Sequence, residues 1–276
     1  MRDIQANGVN LCNGTSNSTV TNSQVRNSGD EAFVVWPIKW TDFVNEMTYA
    51  HGDGFIAQAS KSGADQGVGH GNTFSNLTVQ MPWRGQCYGS YGGYDNLFKD
   101  SLCEDVLTYP GILVDNEFSP YPFGPGPTTF QNMTLLRAGG PMFHEETGNP
   151  MQHGALTFYL KEGSISNVLV QNVDIIDPTF AGIEFRGFLP NVELGPNDKV
   201  AANVLSDAAN ATLSNITLKS IRVMNAGTYA VQVNEGAGRG SVSFQDVVAT
   251  GSAVGGLDKQ GAPDSFFVRL SGDQGF

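Results

Sequence analysis

The sequence predicts an all-β fold, a right-handed parallel β-helix with loop insertions, and three observations lead there. One phrase recurs along the chain: a short alternating strand, an Asn-rich corner, a second strand and a Gly-containing turn. Within each phrase apolar and polar residues alternate with period 2, which marks half-buried strands. No stretch keeps helical spacing, and 34 Gly beside only 15% charged residues is poor material for helices.

The phrases follow in order. Residues 17–36 read NSTVTNSQVRNSGDEAFVVW, 72–93 read NTFSNLTVQMPWRGQCYGSYGG, and 95–118 read DNLFKDSLCEDVLTYPGILVDNEF. Then come TTFQNMTLLRAGG at 128–140 and SISNVLVQNVDIIDPTFAGIEFRG at 164–187. TLSNITLKSIRVMNAGTYAVQVNEG at 212–236 and SVSFQDVVATGSAVGG at 241–256 close the series. β units repeating every few tens of residues read as a solenoid of the pectin-lyase-like kind, whose coils bury apolar columns against one another. Asn at the corners accepts left-handed backbone and bonds to the next Asn along the stack. Residues 37–71, 141–153 and 188–210 break the period and read as insertions, which solenoids tend to gather on the binding face. We expect residues 1–276 to be one such domain, with earlier coils or domains in a longer protein.

The 22 Asn, net charge of −12 and pI near 4.6 set the class of partner. An acidic surface argues against nucleic acid, and no apolar run is long enough to suggest a membrane helix. Cys12, Cys87 and Cys103 allow at most one internal disulfide, Cys87–Cys103 being the favoured pair, and their spacing suits no metal. No cofactor is expected. Six N-x-T sequons, at Asn13, Asn17, Asn76, Asn132, Asn210 and Asn215, favour an exported, extracellular protein.

The four histidines (His51, His70, His144, His153) lie in or beside the insertions, and no nucleophile elbow or phosphate loop accompanies them. Carboxyls and aromatic rings remain, a pairing suited to a neutral polysaccharide. Asn27-Ser28-Gly29-Asp30-Glu31 places two adjacent carboxyls at a corner, where like charges raise the proton affinity of one. Asn7 precedes Asp30 by 23 residues, about one coil, so the two should lie on adjacent rungs roughly 4.8 Å apart. Trp36, Trp83, Tyr91 and Tyr94 are candidate sugar-stacking rings, and Arg84 and Asp95 candidate partners for sugar hydroxyls. Asp115 and Glu117 read as a solvated acidic outcrop.

These residues resemble the family 87 glycoside hydrolases, the mycodextranases and α-1,3-glucanases. Ala6-Asn7-Gly8-Val9-Asn10 with Asn13-Gly14-Thr15 is similar to the family's A-D-G-I-N-x-x-N-G-T. Arg26 to Asp30 with Glu31 and Trp36 is similar to R-N-T-G-D-D-x-x-A-x-W. Gln80-Met81-Pro82-Trp83 resembles Q-L-P-W, Tyr91-Gly92-Gly93-Tyr94-Asp95-Asn96 resembles Y-G-G-x-D-N, and the likeness spans nearly the whole chain. The resemblance implies an inverting hydrolase of α-1,3-glucan or mixed α-1,3/1,4-glucan, with three aspartates at the site. Asp30 then stands on the base side, Glu31 replaces the general acid, and Asn7 stands where the first aspartate belongs. A non-catalytic carbohydrate-binding protein and a polygalacturonase-like hydrolase are the alternatives.

Overall fold

The computed structural model describes residues 1–37, 67–116, 122–143, 150–161, 163–187, 210–234, 237–259, 262 and 266–276. The first sheet has ten strands. In spatial order it runs β1 (Arg2–Ile4), β3 (Thr19–Ser28), β5 (Thr73–Gln80), β7 (Leu97–Glu104) and β9 (Thr128–Leu136). It continues with β13 (Ser164–Ile176), β15 (Thr212–Met224), β17 (Arg239–Gln245) and β20 (Phe266–Ser271), while β18 (Val248–Thr250) also pairs with β15. The second sheet has eight: β2 (Val9–Cys12), β4 (Phe33–Trp36), β6 (Tyr88–Ser90), β8 (Ile112–Asp115), β12 (Leu156–Leu160), β14 (Ile183–Gly187), β16 (Tyr229–Val233) and β19 (Gly255–Asp258). Pairing in both is parallel throughout. A separate antiparallel pair joins β10 (Pro141–Phe143) to β11 (Pro150–Gln152).

This corrects the expected right-handed pectin-lyase-like solenoid. The described strands form two open parallel sheets that do not close on each other, a β-helix-like stack, with one antiparallel pair beside them. The reason lies at the corners. Asn22, Asn76, Asp100, Asn132 and Asn172 have φ between 50° and 54°, yet each lies inside a strand. Short polar side chains tolerate that left-handed backbone, so the strand bends while its hydrogen-bonded ladder continues on both sides. What reads in sequence as two strands meeting at a corner is one bent strand. The corner side chains bond along the stack: Asn172 Nδ2 donates to Asn132 at 3.2 Å and Asn132 Nδ2 to Asp100 at 2.9 Å. A second corner column repeats this, with Asn27 on Asp3 at 2.6 Å and Asn225 on Asp177 at 2.9 Å.

The core lies between the sheets. Parallel register puts Phe74, Phe98 and Phe130 on successive rungs, rings stacked 4.6 and 4.7 Å apart. Phe158 and Phe185 stack likewise at 4.9 Å across the second sheet. Each fully buried ring contributes about 2–3 kcal/mol of burial. A disulfide joins Cys87 to Cys103 within this core. The outer face of the second sheet is covered too: all five residues of β12 are buried, and Val34, Leu113, Tyr91 and Tyr159 form a separate cluster with Trp36. Residues 38–66 and 188–209 of the two long insertions, and His144 and Glu117, lie outside the described residues, as does His51.

Candidate active site

The segment leading into β4 carries the carboxyl pair, held between two rungs. Gly8 N donates to Glu31 O at 2.9 Å on one side. On the other, Trp83 N donates to Ser28 O at 2.9 Å and Ala32 N to Gln86 O at 2.9 Å. Only glycine fits at two of these points. A Cβ on Gly29 would lie 2.5 Å from Gln5 O and 2.6 Å from the Trp83 ring, and one on Gly85 would lie 2.4 Å from the Asp30 carbonyl carbon. Backbone packed this closely sets the carboxyls beside their neighbours in the stack.

Those neighbours hold Glu31 from both sides. The Asn7 amide donates to Oε2, and the Tyr91 phenol donates to Oε1 at 2.7 Å. Gln86 Nε2 donates in turn to the Tyr91 oxygen at 3.0 Å. The Asp30 carboxyl shares a side-chain hydrogen bond with Glu31. Its pKa rises to about 8, mainly through burial and then through the Glu31 charge and that hydrogen bond; Arg84 offsets only part of this. At neutral pH Asp30 therefore keeps a proton. The carboxyl with the raised proton affinity is thus Asp30, the residue that the resemblance puts on the base side.

The remaining candidates separate into two groups. Trp83 is 44% exposed beside the pair and Arg84 lies next to it, exposed, as a stacking ring and a polar partner require. Trp36 packs into the outer apolar cluster. Tyr91 is only 6% exposed, so its phenol bonds to Glu31 and its ring face is not offered to a sugar. Tyr94 stacks on His70 with centroids 4.7 Å apart, beyond the other end of β6. Asp95 is an exposed left-handed corner with φ of 53°. Neither is brought to the carboxyl pair. Asp115, expected to be solvated, is buried on the second sheet one rung from Tyr91, because the outer face there is covered.

Sequence reasoning missed Gln86 and a second polar cluster on the same sheet. Glu184, fully buried, accepts from Gly154 N at 2.9 Å, Thr157 Oγ1 at 3.1 Å and Asn234 Nδ2 at 2.5 Å. Arg186 Nε lies 3.2 Å from Oε1, the oxygen that Asn234 also reaches, and His153 Nδ1 lies 3.7 Å from Oε2. Burial alone would raise the Glu184 pKa; the Arg186 charge, His153 and the Gly154 N–H outweigh it and hold it below the usual range. Burial pushes His153 down. The signal was available: Glu and Arg two apart on a strand share one face.

No curated protein sequence matches the chain. Solved catalytic domains of family 87 α-1,3-glucanase do. An aspartate-to-alanine variant in complex with tetrasaccharides is 25% identical, with a TM-score of 0.77 over 99% of this chain and 44% of that one. A second such variant, also with tetrasaccharides, is 24% identical, with a TM-score of 0.74 over 99% and 44%. A third, in complex with nigerose, is 23% identical, with a TM-score of 0.70 over 97% and 43%. The chain thus spans less than half the length of these structures. The family model described as α-1,3-glucanase catalytic domain D2 matches residues 39–275. That span begins after Asn7, Asp30 and Glu31, so the carboxyl corner and the family match are separate observations. The chain belongs to the α-1,3-glucanase catalytic domain family, the family 87 glycoside hydrolases that its sequence resembles.

Proposed function

We propose that this chain is the catalytic β-helix-like unit of an exported glycoside hydrolase that cleaves α-1,3-glucan by acid–base catalysis with inversion. The observation that carries the reading is the adjacent Asp30–Glu31 pair, the Asp30 pKa raised and Glu31 accepting from the Tyr91 phenol, beside an exposed tryptophan in a member of this family. Spacing supports it. The aspartates replaced by alanine in the three solved variants follow one another at intervals of 23 and 1 residues, as do Asn7, Asp30 and Glu31. The Cys87–Cys103 disulfide and six sequons support export.

In this mechanism Asp30 protonates the glycosidic oxygen. Its proton survives at neutral pH because burial and the Glu31 charge oppose ionisation. An inverting pair needs a gap of roughly 6.5–9.5 Å for the attacking water. The two side chains therefore swing apart around the bound sugar; Asp30 then gives its proton to the glycosidic oxygen as that bond breaks, and Glu31 takes a proton from the attacking water. Trp83 covers the apolar face of a glucose unit, and Arg84 bonds its hydroxyls.

Asn7 favours a second reading, a carbohydrate-binding protein without turnover. Its amide occupies a Glu31 oxygen and cannot accept a proton. Reducing-sugar release from α-1,3-glucan and from polygalacturonate, measured for this chain and for Asn7→Asp, separates the readings. Release from α-1,3-glucan alone by the unmodified chain is the expected result. Release only by Asn7→Asp would identify a binder, and release by neither would overturn the hydrolase reading.

A further inference from the structure

The geometry points to Tyr91, oriented by Gln86, as a positioning residue that fixes Glu31 as the accepting member of the carboxyl pair. This rests on the reading of Asp30 and Glu31 as the reacting groups. Tyr91 follows β6 two rungs above Asn7, and Glu31 reaches its phenol from the rung between, at 2.7 Å. A phenol can donate one hydrogen and accept others. Gln86, 1% exposed, donates to that oxygen at 3.0 Å, which leaves the phenolic hydrogen to point at Glu31. The order of donors is thus Gln86 to Tyr91 to Glu31. From the rung below, the Asn7 amide donates to the other Glu31 oxygen.

Both donors aimed at Glu31 are neutral, so they favour its acceptor form without adding a cation. The other charges facing the group are few among the described residues. Asp30 and Arg84 act on the pair itself, and Asp115 lies on the Tyr91 side, one rung further along. Burial first, then the charges of Glu31 and Asp115, push the Tyr91 phenol well above its ordinary range, so it stays a donor at every working pH. A ring chosen only to fill the outer cluster with Val34 and Leu113 would need no hydroxyl. Glutamine beneath it, inside a covered face, is likewise costly unless its amide is used.

The test follows the proton and needs no turnover. Carbon-13 NMR of labelled Asp and Glu carboxyls gives the titration of Asp30 and Glu31 in the unmodified chain, Tyr91→Phe and Gln86→Leu, with thermal melts to verify folding. In the unmodified chain the upper step of the pair should be carried by Asp30. Loss of one hydrogen bond to the Glu31 carboxylate should raise the lower step, at which Glu31 ionises, by about one to two pH units in Tyr91→Phe and shift part of the upper step onto Glu31. Gln86→Leu should move the lower step in the same direction by less. A lower step at the same midpoint, with the upper step still carried by Asp30 alone, in a folded Tyr91→Phe would overturn the proposal. Hydrolysis of α-1,3-glucan, assayed in parallel, should show the same displacement in its pH profile. Absence of turnover in every protein, with the titration shift present, would sink the hydrolase reading and leave the positioning role intact.

Discussion

Two carboxyls, Glu184 on the second sheet and Asp30 in the segment leading into it, are shielded by the same stack and have their pKa values shifted in opposite directions. Glu184 is fully enclosed and has its pKa held down; Asp30 is less enclosed and has its pKa raised to about 8. Burial opposes ionisation in both, so depth does not decide. Partners do: Glu184 has Arg186 at 3.2 Å and three further donors, whereas Asp30 faces another carboxyl and a cation that only partly offsets it. The first arrangement fixes a charge for structure. The second raises the proton affinity of a carboxyl that is only partly buried.

The sharpest way to break this contrast is Asp30→Asn, which should lower turnover of α-1,3-glucan on the order of 10²–10⁴-fold while oligosaccharide binding stays within a few-fold. Turnover close to that of the unmodified chain would remove Asp30 from the chemistry. Glu184→Gln should do the reverse. It leaves Arg186 without its counter-charge and should cost about 3–5 kcal/mol in denaturant unfolding, with activity per folded molecule retained.

A smaller effect lies in the pH dependence of stability, and its sign differs between the two groups. The folded pKa of Asp30, about 8, lies above its ordinary 3.8, so its contribution is complete below about pH 4 and lost as pH rises towards 8. Asp30→Asn should thus gain stability relative to the unmodified chain across that window. For Glu184, lowered from 4.5, the contribution is present above that value and disappears on acidification. Unfolding curves collected across both ranges check the pair. The smallest expected change belongs to Arg84→Gln, which should raise the Asp30 midpoint by about a few tenths of a unit, since an exposed charge is screened. A drop in that midpoint would contradict the cause assigned to it.

Parts of this site were legible without coordinates. Asn7 and the Asp30–Glu31 pair lie one repeat apart in sequence, and a stack of repeats makes such residues neighbours. Tyr91 was legible only as an aromatic residue. Sixty residues and an insertion separate it from Glu31, and which face of β6 it follows depends on the register of that rung. Tyr94 and Asp95 share its motif yet lie at another corner, because chain direction changes between them. Corner chemistry shows the same division. Asn22, Asn76 and Asn132 announce left-handed backbone, but Met81 and Arg137, with φ of 54° and 50°, do not. Those two are carried into that conformation by the rungs on either side.

The sequence by itself determined where strands lie, which residues bend them, and which carboxyls meet along the stack. These follow from local backbone preference and a repeat length, both written in consecutive residues. Only the tertiary structure decided that the strands form two open sheets, that the outer face of the second is covered, and that burial beside Glu31 raises the Asp30 pKa. Those outcomes depend on burial and on donors contributed from other rungs. No stretch of the sequence specifies either one, because each arises only when distant segments are packed together.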